Sequence, residues 1–305
     1  MSTPGTGVEG RLDIRIAPPR GEVTISSSRP LAASRLFEGK NIDETLGLVP
    51  LLFNVCGQAQ RTAAIRAIES AQGAAAGAEV ERARDRLVQL ETLREHLGRV
   101  LLEWPAFYGG APASGSMSLL MGRIEAAKRA IDGQDTLCTR PGLHRPAGVG
   151  DAVTHELRSL RGIVAEHVLG VQPERWIDVG TAGLSRWVER TDTPAARLLR
   201  FVYDQGWEAI GQTSTNAMPD LAPDALLALL DGPDAAAFIA EPTLGGGAIE
   251  TGPGARQQRH PLIVALRERH GQGLITRLAA RLVEIARITL DLPLGDADTP
   301  ARMAL

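Results

Sequence analysis

Cys56 is the residue whose type and surroundings point most directly to chemistry. It lies in the segment 53–60, FNVCGQAQ, in which Ala59 stands where a CGxC metal-binding corner has its second cysteine. Thiolates are ligands that soft transition metals prefer, and such a corner normally supplies a pair of them. The whole chain holds two cysteines, Cys56 and Cys138. The sequence therefore predicts a single metal-binding thiolate and not a complete site.

Each cysteine also has a plainer interpretation. A lone cysteine is most often a small buried hydrophobic residue without chemistry. Cys138 lies in a predicted loop at 136–142, where an exposed, labile thiol and a weak second ligand are equally compatible with the sequence. Two cysteines so far apart do not indicate a disulfide framework, which suits a reducing cytoplasm.

The elements that must position Cys56 follow from hydrophobic periodicity. Alternating apolar and polar residues at 12–16 and 23–25, separated by a Pro-Pro-Arg-Gly break, predict a β-hairpin. A short amphipathic helix is then expected at 42–52. Residues 58–71, rich in alanine and other helix formers, predict a second helix, and Cys56 lies at its start. The unpaired N–H groups and the positive dipole end of a helix N-terminus favour a thiolate at that position.

Helices predominate in the remainder of the chain. Apolar residues at three- and four-residue steps predict a long helix at 80–104 that Pro105 stops. A last long helix is expected at 261–290, kinked at Gly271 and Gly273. Shorter helices are expected at 117–131, 152–169, 195–212 and 223–230, a short strand within 176–183, and two more within 235–250 around three glycines.

Composition narrows the class of protein. A net charge of −3 and an aromatic content of 4% give no basic stripe and little stacking surface, which argues against nucleic-acid binding. No apolar run approaches the roughly 20 residues of a membrane helix. Residues 1–10 show no export signal, so a cytoplasmic protein is expected. No long polar linker interrupts the chain, and a single domain over residues 1–305 is predicted.

Three regions resemble the large subunit of nickel-iron hydrogenases. Residues 8–16, VEGRLDIRI, resemble the EGH-led first strand of that family, with Arg11 in place of the histidine. Residues 28–44 and 65–69 fall in the order of the segments around the family's RxCGxCxxxH motif. Residues 249–256, IETGPGAR, resemble its ETGPLAR loop, with Gly254 in place of the leucine.

The departures from that family concern its metal ligands. Asn54, Ala59 and Ala63 stand where RxCGxCxxxH has arginine, the second cysteine and histidine, and residues 291–305 contain no CxxC pair. A catalytic nickel-iron centre is held by several thiolates, two of which bridge the metals, and Cys56 corresponds to a terminal one. The chain therefore resembles the HupK/HoxV type of hydrogenase maturation protein, a relative of the large subunit.

This resemblance implies a fold and a function. The expected fold is mainly α with small β elements: an N-terminal β-hairpin plus a long-helix bundle, like a reduced large subunit. The implied function is that of a non-catalytic scaffold, not an enzyme, which carries iron transiently as Fe(CN)2(CO) on Cys56, without nickel. The implied partners are the small iron-delivering chaperone and the cyanide-assembling scaffold of the Hyp system, and the hydrogenase large-subunit precursor.

The resemblance also adds three candidate site residues to Cys56. Glu9 matches a family glutamate near the active site, although a glutamate at the start of a strand is equally often solvated. Glu250 and Arg256 flank the Gly/Pro loop that the family places near the metal. An arginine there suits hydrogen bonding to cyanide. A structural salt bridge between Glu250 and Arg256 is an equally good explanation.

Two other function classes stay open. The chain is compatible with a metal-free docking module, a degenerate large-subunit mimic that binds maturation proteins or another hydrogenase subunit by its surface. A thiol-dependent enzyme with Cys56 as nucleophile ranks last, because the sequence offers no identifiable histidine partner.

Overall fold

The computed structural model describes residues 10–17, 21–31, 33–145 and 150–292. The chain forms two compact units. We call residues 1–41 and 221–243 the small unit, and residues 42–220 and 244–305 the large unit. The predicted single domain over residues 1–305 stays a prediction.

Most described residues are helical, and the strands are short. The strands are β1 (Leu12–Ala17), β2 (Glu22–Ser27), β3 (Asn216–Ala217), β4 (Thr243–Leu244) and β5 (Gly247–Glu250). The first seven helices are α1 (Ile42–Leu52), α2 (Gly57–Gln72), α3 (Ala78–Gly98), α4 (Trp104–Phe107), α5 (Ser114–Asp132), α6 (Asp151–Val164) and α7 (Pro173–Ile177). The others are α8 (Thr181–Arg190), α9 (Pro194–Asp204), α10 (Pro223–Asp231), α11 (Ala235–Ala240), α12 (Pro253–Arg256), α13 (Pro261–His270) and α14 (Leu274–Asp291).

The N-terminal hairpin is confirmed. Strands β1 and β2 pair antiparallel, with Ile14 opposite Ile25 and Ile16 opposite Val23. The period of two puts these side chains on one face of the ribbon. That face is exposed: Leu12, Ile14, Ile16, Val23 and Ile25 each keep between 56% and 68% of their surface accessible.

The small unit has no core of its own in the part that the structure describes. None of its described side chains is buried, and its helices α10 and α11 leave large apolar residues such as Leu227 and Ile239 exposed. Because burial of apolar surface is the dominant favourable term in folding, this unit has little to hold it in one conformation.

The core of the large unit surrounds α14 and one face of α3. Leu87, Leu90, Leu93 and Leu97 of α3 are buried, as the helical periodicity predicted. Helix α14 contacts α3, α6, α7, α12 and α13, and most of its residues are buried. Each fully buried Leu or Ile contributes on the order of 1.5–3 kcal/mol. Helices α3 and α14 therefore fix the positions of the segments that carry the candidate site residues.

Four predicted elements differ from the structure. The helix expected at 195–212 is α9, which ends at Asp204. Pro105 does not stop a helix at 104: α3 ends at Gly98, a π-helical turn follows at Arg99–Glu103, and α4 carries Pro105 in its first turn. Proline is tolerated there because a first-turn N–H needs no partner. The strand predicted within 176–183 is wrong. Pro173 begins helix α7, and Trp176 of this helix is buried in the core.

The expected last helix is two helices. Helix α13 ends at His270, and α14 begins at Leu274. Gly271, which follows the last residue of α13, has φ of 61°, a positive value that glycine adopts without strain. The predicted kink is therefore a full break. No helix in the described part of the chain is long and apolar enough to cross a bilayer.

Candidate functional site

Cys56 lies immediately before α2, at its N-cap, and its side chain is exposed. The next residue explains how the chain reaches this position. Gly57 is buried, and a Cβ added to it would lie 3.2 Å from Pro50 Cα. Glycine thus allows the end of α1 to pass close to the start of α2. The chain bends at 54–56, just before α2, and the Cys56 side chain is exposed there.

The helix N-terminus beside Cys56 already binds an anion. Glu91 of α3 accepts hydrogen bonds from the backbone N–H groups of Gln58, at 2.8 Å, and Ala59, at 3.0 Å. A carboxylate at this end offsets the positive end of the helix dipole. The groups that were expected to favour a Cys56 thiolate therefore serve Glu91 instead.

The immediate contacts of the Cys56 thiol are few. Gln60 Nε2 lies 3.9 Å from Cys56 Sγ, a long contact, and Arg94 donates a hydrogen bond to the carbonyl of Val55 at 3.2 Å. Exposed apolar side chains flank it in sequence, including Leu51 and Val55. The thiol is therefore open to a molecule that approaches from solvent.

The loop predicted around Cys138 is confirmed, but of the two alternatives for its thiol the exposed one is wrong. Cys138 is buried, and its sulfur lies 3.4 Å from Gln58 Nε2 and 3.6 Å from Thr62 Oγ1. Burial raises the pKa of the Cys138 thiol, which keeps it neutral. Both hydrogen-bonding partners belong to α2, so this thiol helps to fix the helix that follows Cys56.

Glu250 and Arg256 do not form the salt bridge considered between them. Glu250, at the end of β5, accepts a hydrogen bond from Arg277 Nη1 at 2.8 Å. Arg256, at the end of α12, makes a bidentate pair with Glu284, both contacts at 2.6 Å. Each candidate is therefore tied to a different residue of α14, which fixes the Gly/Pro loop against the core.

Glu284 is the centre of a buried polar cluster that the sequence analysis missed. Besides Arg256, it contacts His96 Nε2 at 2.6 Å and Gln257 Nε2 at 3.3 Å. Burial alone would raise its pKa, but the hydrogen bonds from Arg256 and His96 outweigh it and lower the pKa to about 2. The signal for this cluster was present as polar residues on the buried faces of two apolar helices.

The nitrogens of Arg256 are already engaged within the chain. Nε and Nη2 donate to Glu284, and Nη1 donates to the carbonyl of Thr251 at 2.6 Å. The geometry is that of a structural clamp on the loop. A role of Arg256 in holding cyanide stays a prediction, and it would require these contacts to be shared with the ligand.

Helix α3 is the element that the two groups of candidates share. Its Glu91 and Arg94 meet the Cys56 corner, and its His96 meets the Glu284 cluster. His96 follows Glu91 by five positions along the helix, which is a rise of about 7.5 Å. Among the described residues, no hydrogen bond or ion pair joins Cys56 to Glu250 or Arg256. Glu9 lies outside the described residues.

The ligand set around Cys56 is sparse. Over the ranges that the structure describes, no group of three or more His, Cys, Asp or Glu side chains is placed to hold a metal ion. A metal on Cys56 would therefore take its remaining ligands from a source other than a preformed cluster of these residues.

Comparison with known proteins matches the chain to hydrogenase expression/formation proteins. The chain is 41% identical over 99 residues to the hydrogenase expression/formation protein HupV of Azotobacter chroococcum mcd 1, a match covering 31% of this chain and 29% of that protein. It is 27% identical over 294 residues to the hydrogenase expression/formation protein HoxV of Cupriavidus necator, covering 94% of this chain and 69% of that protein.

A third relative extends the pattern. The chain is 31% identical over 279 residues to the hydrogenase expression/formation protein HupK of Bradyrhizobium diazoefficiens, covering 89% of this chain and 65% of that protein. The chain is a homologue of these hydrogenase expression/formation proteins. The predicted resemblance to the HupK/HoxV type is thereby confirmed.

The matches cover only part of the length of each relative. The alignments span less than a third of the Azotobacter protein and about two thirds of the other two. No family model matches the chain, and no solved structure matches it. The predicted likeness of the whole fold to a hydrogenase large subunit therefore stays a prediction, whereas the helical class and the N-terminal hairpin are confirmed.

Proposed function

We propose that this chain is a non-catalytic scaffold in the maturation of nickel-iron hydrogenase. It carries Fe(CN)2(CO) on Cys56 before transfer to the large-subunit precursor. The observation that carries this proposal is the exposed thiol of Cys56 at a corner that keeps one cysteine of a CGxC pair. The names of the homologues, all hydrogenase expression/formation proteins, support the maturation role.

The chemistry of a carrier differs from that of a catalyst. Thiolate is a soft ligand that suits low-spin iron, and diatomic ligands fill most of the other positions of this cargo. One protein sulfur holds the iron weakly enough to be exchanged, whereas four would trap it. Nickel has no role in this scheme, because Ala59 stands where the CGxC corner has the cysteine that bridges nickel to iron.

The exposure of Cys56 suits transfer between proteins. A donor must reach the thiol to load the iron, and an acceptor must reach it to remove the iron. We assign the donor role to the small iron-delivering chaperone and the cyanide-assembling scaffold of the Hyp system. The acceptor is the large-subunit precursor. We place this transfer in the cytoplasm, where thiols stay reduced.

Infrared spectroscopy tests the cargo directly. Protein purified from cells that express the Hyp system should show cyanide and carbonyl stretching bands, and Cys56→Ala should remove them. Cys138→Ser is the matched control, because it removes the other sulfur but retains a hydroxyl for Gln58 and Thr62. Bands that persist in Cys56→Ala, or that disappear equally in Cys138→Ser, would contradict the assignment to Cys56.

A metal-free docking module is the second candidate. The apolar hairpin face of Leu12, Ile14, Ile16, Val23 and Ile25 favours it, because an exposed apolar patch is typical of a protein interface. The two functions separate in one experiment. If the protein is a docking module, Cys56→Ala should still bind its partners and still support hydrogenase maturation. If it is a carrier, Cys56→Ala should lose maturation, whether or not it still binds its partners.

A further inference from the structure

Three large apolar side chains are exposed at the corner that carries Cys56. Leu51 keeps 75% of its surface accessible, Leu52 keeps 37% and Val55 keeps 57%. Among the described large apolar residues that are exposed, Leu51 has the highest accessible fraction. Exposed apolar surface is unfavourable in water, and a group of such side chains is typical of a binding surface. We call Leu51, Leu52 and Val55 the corner patch.

The corner patch lies next to the Cys56 thiol. Val55 directly precedes Cys56, and the other two residues of the patch end α1. The end of α1 is packed against the start of α2, since a Cβ on Gly57 would lie 3.2 Å from Pro50 Cα. Leu51 and Cys56 are the chain neighbours of these two residues, so their Cα atoms are at most about 12 Å apart. An interface of ordinary size, about 800 Å² on each partner, covers such a distance.

A protein that passes iron to Cys56 must cover this corner, a step that rests on the proposed carrier function. A bond between a metal and a thiolate is about 2.3 Å long, so the donor's own ligand comes within about 5 Å of the Cys56 sulfur. The bond between the donor and the iron breaks as the iron–sulfur bond forms, and the Cys56 proton passes to water. The donor surface around its ligand therefore meets the surface around the thiol, which includes the corner patch.

The charged side chains of α3 that reach this corner are already engaged. Glu91 accepts two backbone hydrogen bonds from the start of α2, and Arg94 pairs with Glu95 at 2.9 Å. The helix end offsets the charge of Glu91, and the ion pair offsets the other two charges. The corner therefore offers a partner apolar contact and little net charge to steer it.

We propose that the corner patch is the docking surface for the protein that delivers the iron, and that this protein presents a matching apolar surface beside its iron ligand. The patch exposes on the order of a few hundred Å², far less than the roughly 1,600 Å² that a stable complex buries in total. The complex is therefore transient, as a relay requires. The donor binds, passes the iron and leaves the corner open to the acceptor.

Binding of the purified iron-delivering chaperone of the Hyp system to the full chain, measured by biolayer interferometry, tests the proposal. Leu51→Lys should weaken this binding at least about tenfold, the loss expected when a central apolar contact of an interface is removed. Lysine is compatible with the fold here, because the side chain is exposed and lies in the last turn of α1, where a cation interacts favourably with the helix dipole. Val55→Lys is a second variant with the same expectation.

Phe107→Lys is the matched control. It places the same charge on another exposed apolar residue of the large unit, at the end of α4, which packs against α9. It should leave the affinity unchanged. No binding to the unaltered chain, or equal losses in Leu51→Lys and Phe107→Lys, overturns the proposal. Loss of binding in Ile16→Lys with full binding in Leu51→Lys also overturns it, since docking would then involve the hairpin face.

Infrared spectroscopy separates this inference from the carrier function. Protein from cells that express the Hyp system should show weaker cyanide and carbonyl bands in Leu51→Lys than in Phe107→Lys, because docking precedes loading. Bands of equal intensity in the two variants overturn the docking surface and leave the carrier function intact. Absence of bands from the unaltered chain contradicts the carrier function, and the chaperone-binding measurement then decides on the docking surface alone.

Discussion

Glu284 is the residue on which the geometry of the Gly/Pro loop most depends. Its side chain keeps only 5% of its surface accessible, and it holds Arg256 by two hydrogen bonds and His96 by one. A buried carboxylate of this kind is tolerated only when partners satisfy it. The same contacts that lower its pKa to about 2 therefore also make the charged form contribute to stability.

Glu284→Gln should destabilise the protein by about 2–3 kcal/mol at neutral pH. The value is below the usual 3–5 kcal/mol for breaking a buried pair, because 41% of the Arg256 side chain is accessible and solvent screens it. The measurement is the free energy of unfolding in urea. Glu189→Gln, at an exposed position on α8, is the control and should change it by less than about 0.5 kcal/mol.

The pH dependence of this effect has a defined sign. A carboxyl whose folded pKa lies below its unfolded value of 4.5 contributes stability that is complete above about pH 4.5 and is lost as pH falls towards about 2. The difference in unfolding free energy between the unaltered chain and Glu284→Gln should therefore shrink over this window. A difference that stays constant between pH 6 and pH 3, both chosen as approximate test points, would contradict the assigned cause.

At the scale of elements, the close approach of α1 and α2 sets the position of Cys56. Gly57 permits this approach, because a Cβ there would crowd both Pro50 Cα, at 3.2 Å, and Pro50 Cβ, at 3.3 Å. These are backbone-anchored atoms that cannot rotate away. A larger residue at 57 would therefore push the two helices apart and move the corner that carries the thiol.

Gly57→Ala should lower stability by about 1–3 kcal/mol, the usual cost of overpacking. Gly47→Ala is the matched control in α1, because a Cβ there meets no atom within 4 Å. It should be neutral or stabilising by up to about 1 kcal/mol, since alanine is the better helix former. Thermal unfolding of both variants compares the two positions directly. Equal melting temperatures would show that the crossing tolerates a methyl group.

The elements also show what the sequence could predict and what it could not. Periods of two and of about 3.6 residues identified the hairpin, α1 and the buried face of α3, because local patterning decides these elements. The content of alanine and other helix formers identified α2. The π-helical turn at Arg99–Glu103 and the short helix α7 were missed, because packing determines them. The pairing of His96 with Glu284 joins residues 188 positions apart, and no local pattern reports such a contact.

The candidate site was predictable to a similar extent. The residue types around Cys56 predicted that it lies at the start of a helix, and the structure has that arrangement. The exposure of its thiol was not predicted. The carboxylate of Glu91 at the same helix end was not foreseen, because it arrives from a different helix. Motif resemblance located Glu250 and Arg256 but not their partners on α14, since a motif contains no information about the residues that face it.

At the scale of the whole molecule, the two units differ in their means of stabilisation. The large unit buries α14 and a face of α3, whereas the described residues of the small unit bury no side chain. Local stability follows local burial, because opening a segment with few apolar contacts costs little free energy. The backbone amides of the two units should therefore exchange at very different rates.

Hydrogen exchange measured by mass spectrometry checks this expectation. Peptides from the hairpin at 12–27 and from α10 should exchange within seconds to minutes, and peptides from α14 should stay protected for hours. A maturation partner that docks on the hairpin would slow its exchange and leave α14 unchanged. Protection of the hairpin comparable to that of α14 in the isolated chain would contradict the assignment of low local stability.

The hairpin has a practical consequence for anyone who handles this protein. A two-stranded ribbon has two edges with unpaired backbone N–H and C=O groups. One face of this ribbon also exposes apolar side chains. Such a strand pair readily templates growth of further β-structure from other chains. We expect the purified protein to aggregate at high concentration when it is produced alone. Co-expression with a partner that covers the hairpin should raise the yield of dispersed protein.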